Sequence, residues 1–282
     1  MTGGAGGTGP GVVTVHRDVV FSRPAGFRPL SLDLYVPATP ARALCLYLHG
    51  GGWRAGSRSD GPGPSRLWSP SFFERAAAKG LAMASADYRL SGEATYPAQL
   101  DDVRAAAGFL ATHRASFGVG GQRTTAWGVS AGGHLAALLA LTGPPASPGV
   151  DAVVCWYAPT DLDALSADCD RAGGRGERGP DARESQLIGA PLDERPDLVK
   201  EASPVSFAHA GAPPFLFLHG TADTLVPARQ SQRLAAALAG AGASATVELV
   251  DGGTHMFSGL DDEATARLVA RSVRFLLGPE GA

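Results

Sequence analysis

The chain has 282 residues, of which 44% are hydrophobic and 18% charged, with a formal net charge of −3 and a pI near 6.2. That balance suits one soluble, enzyme-sized domain and lacks the basic footprint that nucleic acid or an anionic membrane would need. No apolar run approaches the roughly 18 residues of a membrane span, and the three scattered cysteines are too few for a disulfide framework.

Residues 1–11 lack both the basic and the apolar region of a secretory signal, so they are read as a disordered leader before a domain spanning 12–282. Residues 12–20 and 30–36 alternate apolar and polar side chains around Pro24 and Gly26, which predicts a half-exposed antiparallel strand pair. The run Ala43–Leu48 is apolar throughout, as expected of a strand buried on both faces, and it ends in His49-Gly50-Gly51-Gly52-Trp53. A helix is predicted over 71–79, a strand over 81–86, and a helix over 97–115 opening at Pro97. Thr124–Val129 then reads as a strand that turns directly into an Ala/Leu-rich helix.

Another buried strand is expected at 152–157, after which regularity drops. Residues 158–212 interrupt the pattern as a candidate cap, with no structure readable over 168–184 and a short helix or two over 184–200. Order returns as strand 214–220, helix 228–240, strand 245–250 and helix 261–277. Strands separated by helices predict an α/β architecture, a mostly parallel sheet of about eight strands covered on both faces. Cys45 and Cys155 fall in buried strands, whereas Cys169 is expected as an exposed free thiol in a polar loop. No Cys or His spacing suggests a metal, no cofactor is implied, and a cytoplasmic location is expected.

The chemistry gathers on Gly128-Val129-Ser130-Ala131-Gly132, a G-x-S-x-G sequence in strand–turn–helix context. Ser130 would stand at the tip of a turn that only glycine at 128 and 132 lets close; an ordinary N-cap serine is the competing reading. Activating that serine takes a base and a group to orient the base. Among seven histidines, His255 alone lies in a loop after the last strand, at the carboxyl end of the sheet where open α/β folds gather their sites. His49 and His219 suit loop anchoring, His134 sits behind the elbow, His209 is in the insertion, and His16 and His113 lie in exposed-looking stretches. Asp223, after the penultimate strand, is the candidate acid; Asp161 is the rival but suits a turn cap, and Asp251 is too near His255 to do more than shape its loop. The chain order Ser130, Asp223, His255 is that of the α/β-hydrolases. Backbone amides of Gly51, Gly52 and Ala131 are the candidate oxyanion donors, each worth on the order of 3 kcal/mol in a transition state.

On these residues the chain resembles α/β-hydrolase esterases and lipases with an HGGGW oxyanion loop, and within them the group related to bacterial feruloyl and acetylxylan esterases, near the arylformamidases. The stretches that carry the resemblance are His49–Gly56, Asp87–Leu90, Tyr96–Val103, Gly128–Ala136, Trp156–Leu162, Glu184–Leu187 and His219–Pro227. It implies a Ser130–Asp223–His255 triad acting on a small-molecule carboxylic ester through an acyl-enzyme. Trp53, Trp156 and Tyr157 are expected as pocket walls, with packing at strand ends as the competing role for the latter two. Two departures stand out: His255 lies in Thr254-His255-Met256-Phe257 where the family pattern has glycine on both sides, and residues 168–183 form an Arg/Gly-rich insertion. Arg171, Arg175, Arg178 and Arg183 within it are read as a solvated charged loop rather than an anion-recruiting patch. A formamidase or natural-product tailoring enzyme using the same triad is the alternative, and a non-catalytic receptor on the same fold the third. The oligomeric state is open between monomer and homodimer.

Overall fold

The computed structural model describes residues 13–121, 123–143 and 149–279; the expected leader lies outside them. Its strands are β1 (Val13–Ser22), β2 (Leu30–Pro37), β3 (Ala43–Leu48), β4 (Leu81–Ala86), β5 (Thr124–Val129), β6 (Val153–Trp156), β7 (Phe215–Gly220) and β8 (Ala245–Val250). They form one sheet in the order β1-β2-β4-β3-β5-β6-β7-β8. The β1–β2 and β2–β4 pairings are antiparallel and the rest parallel, as expected.

The helices are α1 (Phe72–Ala77), α2 (Ala98–His113), α3 (Ala131–Thr142), α4 (Leu162–Arg171), α5 (Arg183–Ile188), α6 (Pro196–Glu201), α7 (Arg229–Gly240) and α8 (Asp262–Leu277). On one face of the sheet, Leu100 and Val103 of α2, Leu135 and Leu138 of α3 and Leu234 and Leu238 of α7 share one buried apolar cluster with Leu44, Leu46 and Leu48 of β3. On the other, Phe72 and Phe73 of α1 and Val269, Val273 and Leu276 of α8 pack against Tyr47, Trp127 and Trp156. Helix α1 starts on a capping box, the Ser71 hydroxyl accepting from the Glu74 amide while the Glu74 carboxylate accepts from the Ser71 amide.

Two expectations change. Strand β2 is buried along almost its whole length rather than half exposed. Its alternating Asp33 looked like a solvent-facing residue, but it lies inside, accepting hydrogen bonds from Arg58 Nε at 2.9 Å, Arg17 at 3.1 Å and the Asp18 amide at 2.9 Å. A carboxylate so surrounded tolerates burial, and the sequence pattern alone cannot reveal such partners. The irregular stretch 158–212 holds three helices, α4 to α6. Cys169 is therefore not in a polar loop: it lies on α4, buried, its thiol donating to the Leu225 carbonyl at 3.1 Å.

Candidate active site

The parallel strands end at one edge of the sheet, and the loops that leave them there bring distant residues together. After β5 the backbone of Ser130 turns through φ 51° and ψ −123°, a conformation costing of order 1–3 kcal/mol that the surroundings must impose. The glycines explain why the turn closes. A Cβ on Gly128 would lie 2.1 Å from the Gly132 carbonyl oxygen, and one on Gly132 would lie 2.1 Å from that of Leu48. Helix α3 begins at the next residue, so the Ala131 amide stands in its first turn, where no helical carbonyl is available to it.

The Ser130 Oγ lies 3.1 Å from His255 Nε2, and His255 Nδ1 lies 2.7 Å from Asp223 Oδ2. A carboxylate only accepts, so Nδ1 carries the imidazole proton and Nε2 is free to accept from the serine hydroxyl. Asp223 is buried. Burial alone would raise its pKa, but hydrogen bonds from His219 and His255 and from the Val226 amide outweigh it and hold the carboxyl down at about 2. Oδ1 accepts from the Leu225 and Val226 amides at 3.0 and 2.9 Å. His219 reaches Oδ2 at a longer 3.5 Å, its Nε2 proton being given chiefly to the Val226 carbonyl at 2.6 Å. The rival Asp161 accepts from the Ala164 amide at the start of α4 and pairs with Arg233, which accounts for it structurally. Asp251 accepts from Thr221 in the loop before His255.

The glycine loop after β3 adopts positive φ at three successive residues, 112° at Gly51, 60° at Gly52 and 58° at Trp53. At Gly51 the need for glycine is steric, since a Cβ there would lie 2.1 Å from the Ala55 carbonyl oxygen. The loop sits against the elbow: a Cβ on Gly50 would come 3.4 Å from that of Ser130. Among the described residues, the Gly51 and Gly52 amides have no hydrogen-bond acceptor. The Gly51 and Gly52 amides thus stand in the loop that packs against the Ser130 elbow, and the Ala131 amide follows the serine directly.

Trp53 and Trp156 are not pocket walls. Both are sealed in the core with their indole N–H groups committed, Trp53 to His134 Nδ1 at 3.2 Å and Trp156 to Ser272 Oγ at 3.0 Å. Tyr157 is equally buried, but its ring meets the His255 imidazole edge-on at 5.0 Å. His134, read as lying behind the elbow, does so, yet its part in holding the loop through Trp53 was not anticipated. It is buried, its pKa pulled down to about 4 by desolvation, and its Nε2 donates to the Ala202 carbonyl at 2.6 Å. The available signal was a Trp beside the glycine run and a His four residues beyond the serine. His49, as expected of a loop anchor, donates to the Gly50 carbonyl at 2.7 Å and stacks on Tyr88. Among the described residues no group of His, Cys, Asp and Glu could hold a metal ion, and no helix is long and apolar enough to cross a membrane.

Comparison with known proteins gives concordant matches. The BD-FAE family model matches residues 32–238. Esterase LipC of Mycobacterium tuberculosis is 30% identical over 241 residues, covering 82% of this chain and 56% of its own. The chain spans about half the length of the curated relatives it matches. Among solved structures, a truncated carbohydrate esterase from gut microbiota superposes with a TM-score of 0.75 at 26% identity, covering 95% of this chain and 99% of that one. The Thermogutta terrifontis esterase Est2 with propionate bound gives 0.73 at 25% identity, covering 95% and 97%. The sheet and its helices are those of the α/β-hydrolase fold.

Proposed function

The chain belongs to the BD-FAE family, and from that premise we propose that it is a serine hydrolase cleaving small to medium carboxylic esters through an acyl-enzyme on Ser130. One observation carries the reading: a continuous hydrogen-bonded line from the Ser130 hydroxyl through His255 to the buried Asp223. Relatives and structural neighbours named as esterases support it, as does the propionate bound to one of them.

His255 Nε2 takes the Ser130 proton as Oγ attacks the ester carbonyl. The negative charge that develops on the carbonyl oxygen is met by the backbone amides of Gly51, Gly52 and Ala131, the donors of the oxyanion pocket. His255 then gives its proton to the departing alkoxide, leaving the acyl group on Ser130. A water, deprotonated by the same nitrogen, releases the acid. Asp223, ionised at any working pH, keeps the proton on Nδ1 and stabilises the transient imidazolium. The 158–212 stretch serves as a cap at the strand ends, and the substrate is a free small molecule.

Purified protein should hydrolyse p-nitrophenyl acetate, and Ser130→Ala should reduce turnover to background. Undiminished hydrolysis by that variant would sink the mechanism.

A further inference from the structure

The four arginines of the 168–183 segment separate into two groups. Arg171 is paired with Asp168 at 3.1 Å, a carboxylate shared with Arg229 and Arg233, and Arg178 is paired with Asp170. Arg183 and Arg175 instead line a narrow, half-open cleft with about 20 Å³ of free space, room for one water, which reaches Leu225 in the loop that carries Asp223. The cleft floor is apolar, formed by Leu162, Leu165, Leu192 and Leu225, the last two residues beyond Asp223.

Arg183 reaches from the start of α5 onto the oxyanion loop. A Cβ on Gly52 would lie 2.8 Å from Arg183 Cδ, so the side chain runs directly over that glycine. Glu177 holds it there, bonding its guanidinium at 2.7 Å and its amide at 3.2 Å. One face of the guanidinium fork remains for a ligand, since a single carboxylate oxygen satisfies only part of its five donors. Arg175 has no acidic partner among the described residues. The second carboxyl of the cleft, Glu184, is nearly buried, and desolvation raises its pKa above the usual carboxylate value. The Ser166 hydroxyl on the same wall is buried without a partner.

We propose that Arg183 and Arg175 make this cleft a specificity subsite for short esters that carry a carboxylate, the anion held by the guanidiniums while the scissile carbonyl lies at Gly51 and Gly52. The proposal rests on the esterase reading above and names its substrate class.

The test compares kcat/KM for methyl hydrogen glutarate with that for its neutral monoamide, and for the acetyl ester of 4-hydroxybutyrate with that of its amide. The first pair places the charge on the acyl side and the second on the alcohol side. In one pair the carboxylate should be preferred by about tenfold at low salt, a preference that shrinks as NaCl screens the site. Arg183→Met should bring that ratio toward one, Arg183→Lys should retain part of it, and Glu177→Gln, which frees the guanidinium, should raise it. Ratios at or below one in both pairs for the wild type, or a ratio unmoved by Arg183→Met and Glu177→Gln, overturn the subsite while leaving esterase activity intact. If folded wild type turned over none of the four esters or p-nitrophenyl acetate, the esterase reading would fall and the subsite with it.

Discussion

Trp53 donates its indole N–H to Nδ1 of His134 at 3.2 Å, joining the glycine loop after β3 to the helix that follows Ser130. Two parts of the proposed site that are remote in sequence are thereby held by one buried hydrogen bond, and Ala202 fixes the imidazole from its other side. Removing the imidazole leaves an indole N–H buried without an acceptor, at a cost of about 1–3 kcal/mol. His134→Phe should therefore lower kcat for p-nitrophenyl acetate more than it raises KM, with a similar loss in the urea midpoint. An unchanged kcat in a destabilised protein would show that the contact serves packing alone.

The same histidine predicts a pH dependence of stability. Its pKa is lowered from about 6.5 in the unfolded chain to about 4 in the fold. The unfolded state thus binds the proton first, so the His134 contribution is complete above about pH 6.5 and is lost as pH falls toward 4. It amounts to about 3 kcal/mol at most, taking roughly 1.4 kcal/mol per pH unit. The Tm of the wild type should fall more steeply over that window than the Tm of His134→Phe. Parallel curves would refute the assignment.

Asp223 works in a lower range. Its folded pKa near 2 lies below that of a free carboxyl, so its contribution is present above about pH 4 and disappears as pH falls through 2. Asp223→Asn preserves shape but lets His255 take the wrong tautomer. A loss in kcat on the order of 10³–10⁴ is expected if Asp223 orients His255 as proposed, as when the triad aspartate of a serine protease is replaced.

Glycine substitutions separate necessity from habit. At Gly132 an added methyl would meet the backbone oxygens of Leu48 and His49 at 2.1 and 2.4 Å, and backbone cannot step aside cheaply. Gly132→Ala should cost more than about 3 kcal/mol or prevent folding. Gly108, inside α2, has nothing within 4 Å of such a methyl, so Gly108→Ala should stabilise by about 0.5–1 kcal/mol. Chemical denaturation of the two variants side by side checks both signs.

Cys169 is packed on α4, and burial raises its thiol to about 11. With Cys45 and Cys155 also buried, the native protein should react slowly with a thiol reagent at neutral pH and release three equivalents only after unfolding. Rapid reaction of one thiol in the native state would mean that the 162–171 helix opens readily.

Much of the architecture was legible in the sequence because it is dictated locally. Uninterrupted apolar runs such as Ala43–Leu48 require burial on both faces, and α1, α2, α7 and α8 fall within a few residues of where their spacing puts them. The elbow was equally legible: glycine at 128 and 132 is a demand of backbone sterics that the chain states directly. Ser130, Asp223 and His255 could be singled out because strand ends share one edge of a parallel sheet, and the structure puts them within hydrogen-bond distance. The contacts that pair one residue with a distant one were not legible. Burial of Asp33 depends on Arg58 and Arg17, the Trp53 indole is turned inward by His134, and Cys169 is covered through Leu225. Arg183 lies over Gly52 only because the start of α5 is brought against the glycine loop after β3. Each is decided by which surfaces meet once helices and sheet have packed, and side chains far apart along the chain carry no local mark of the partner they will find.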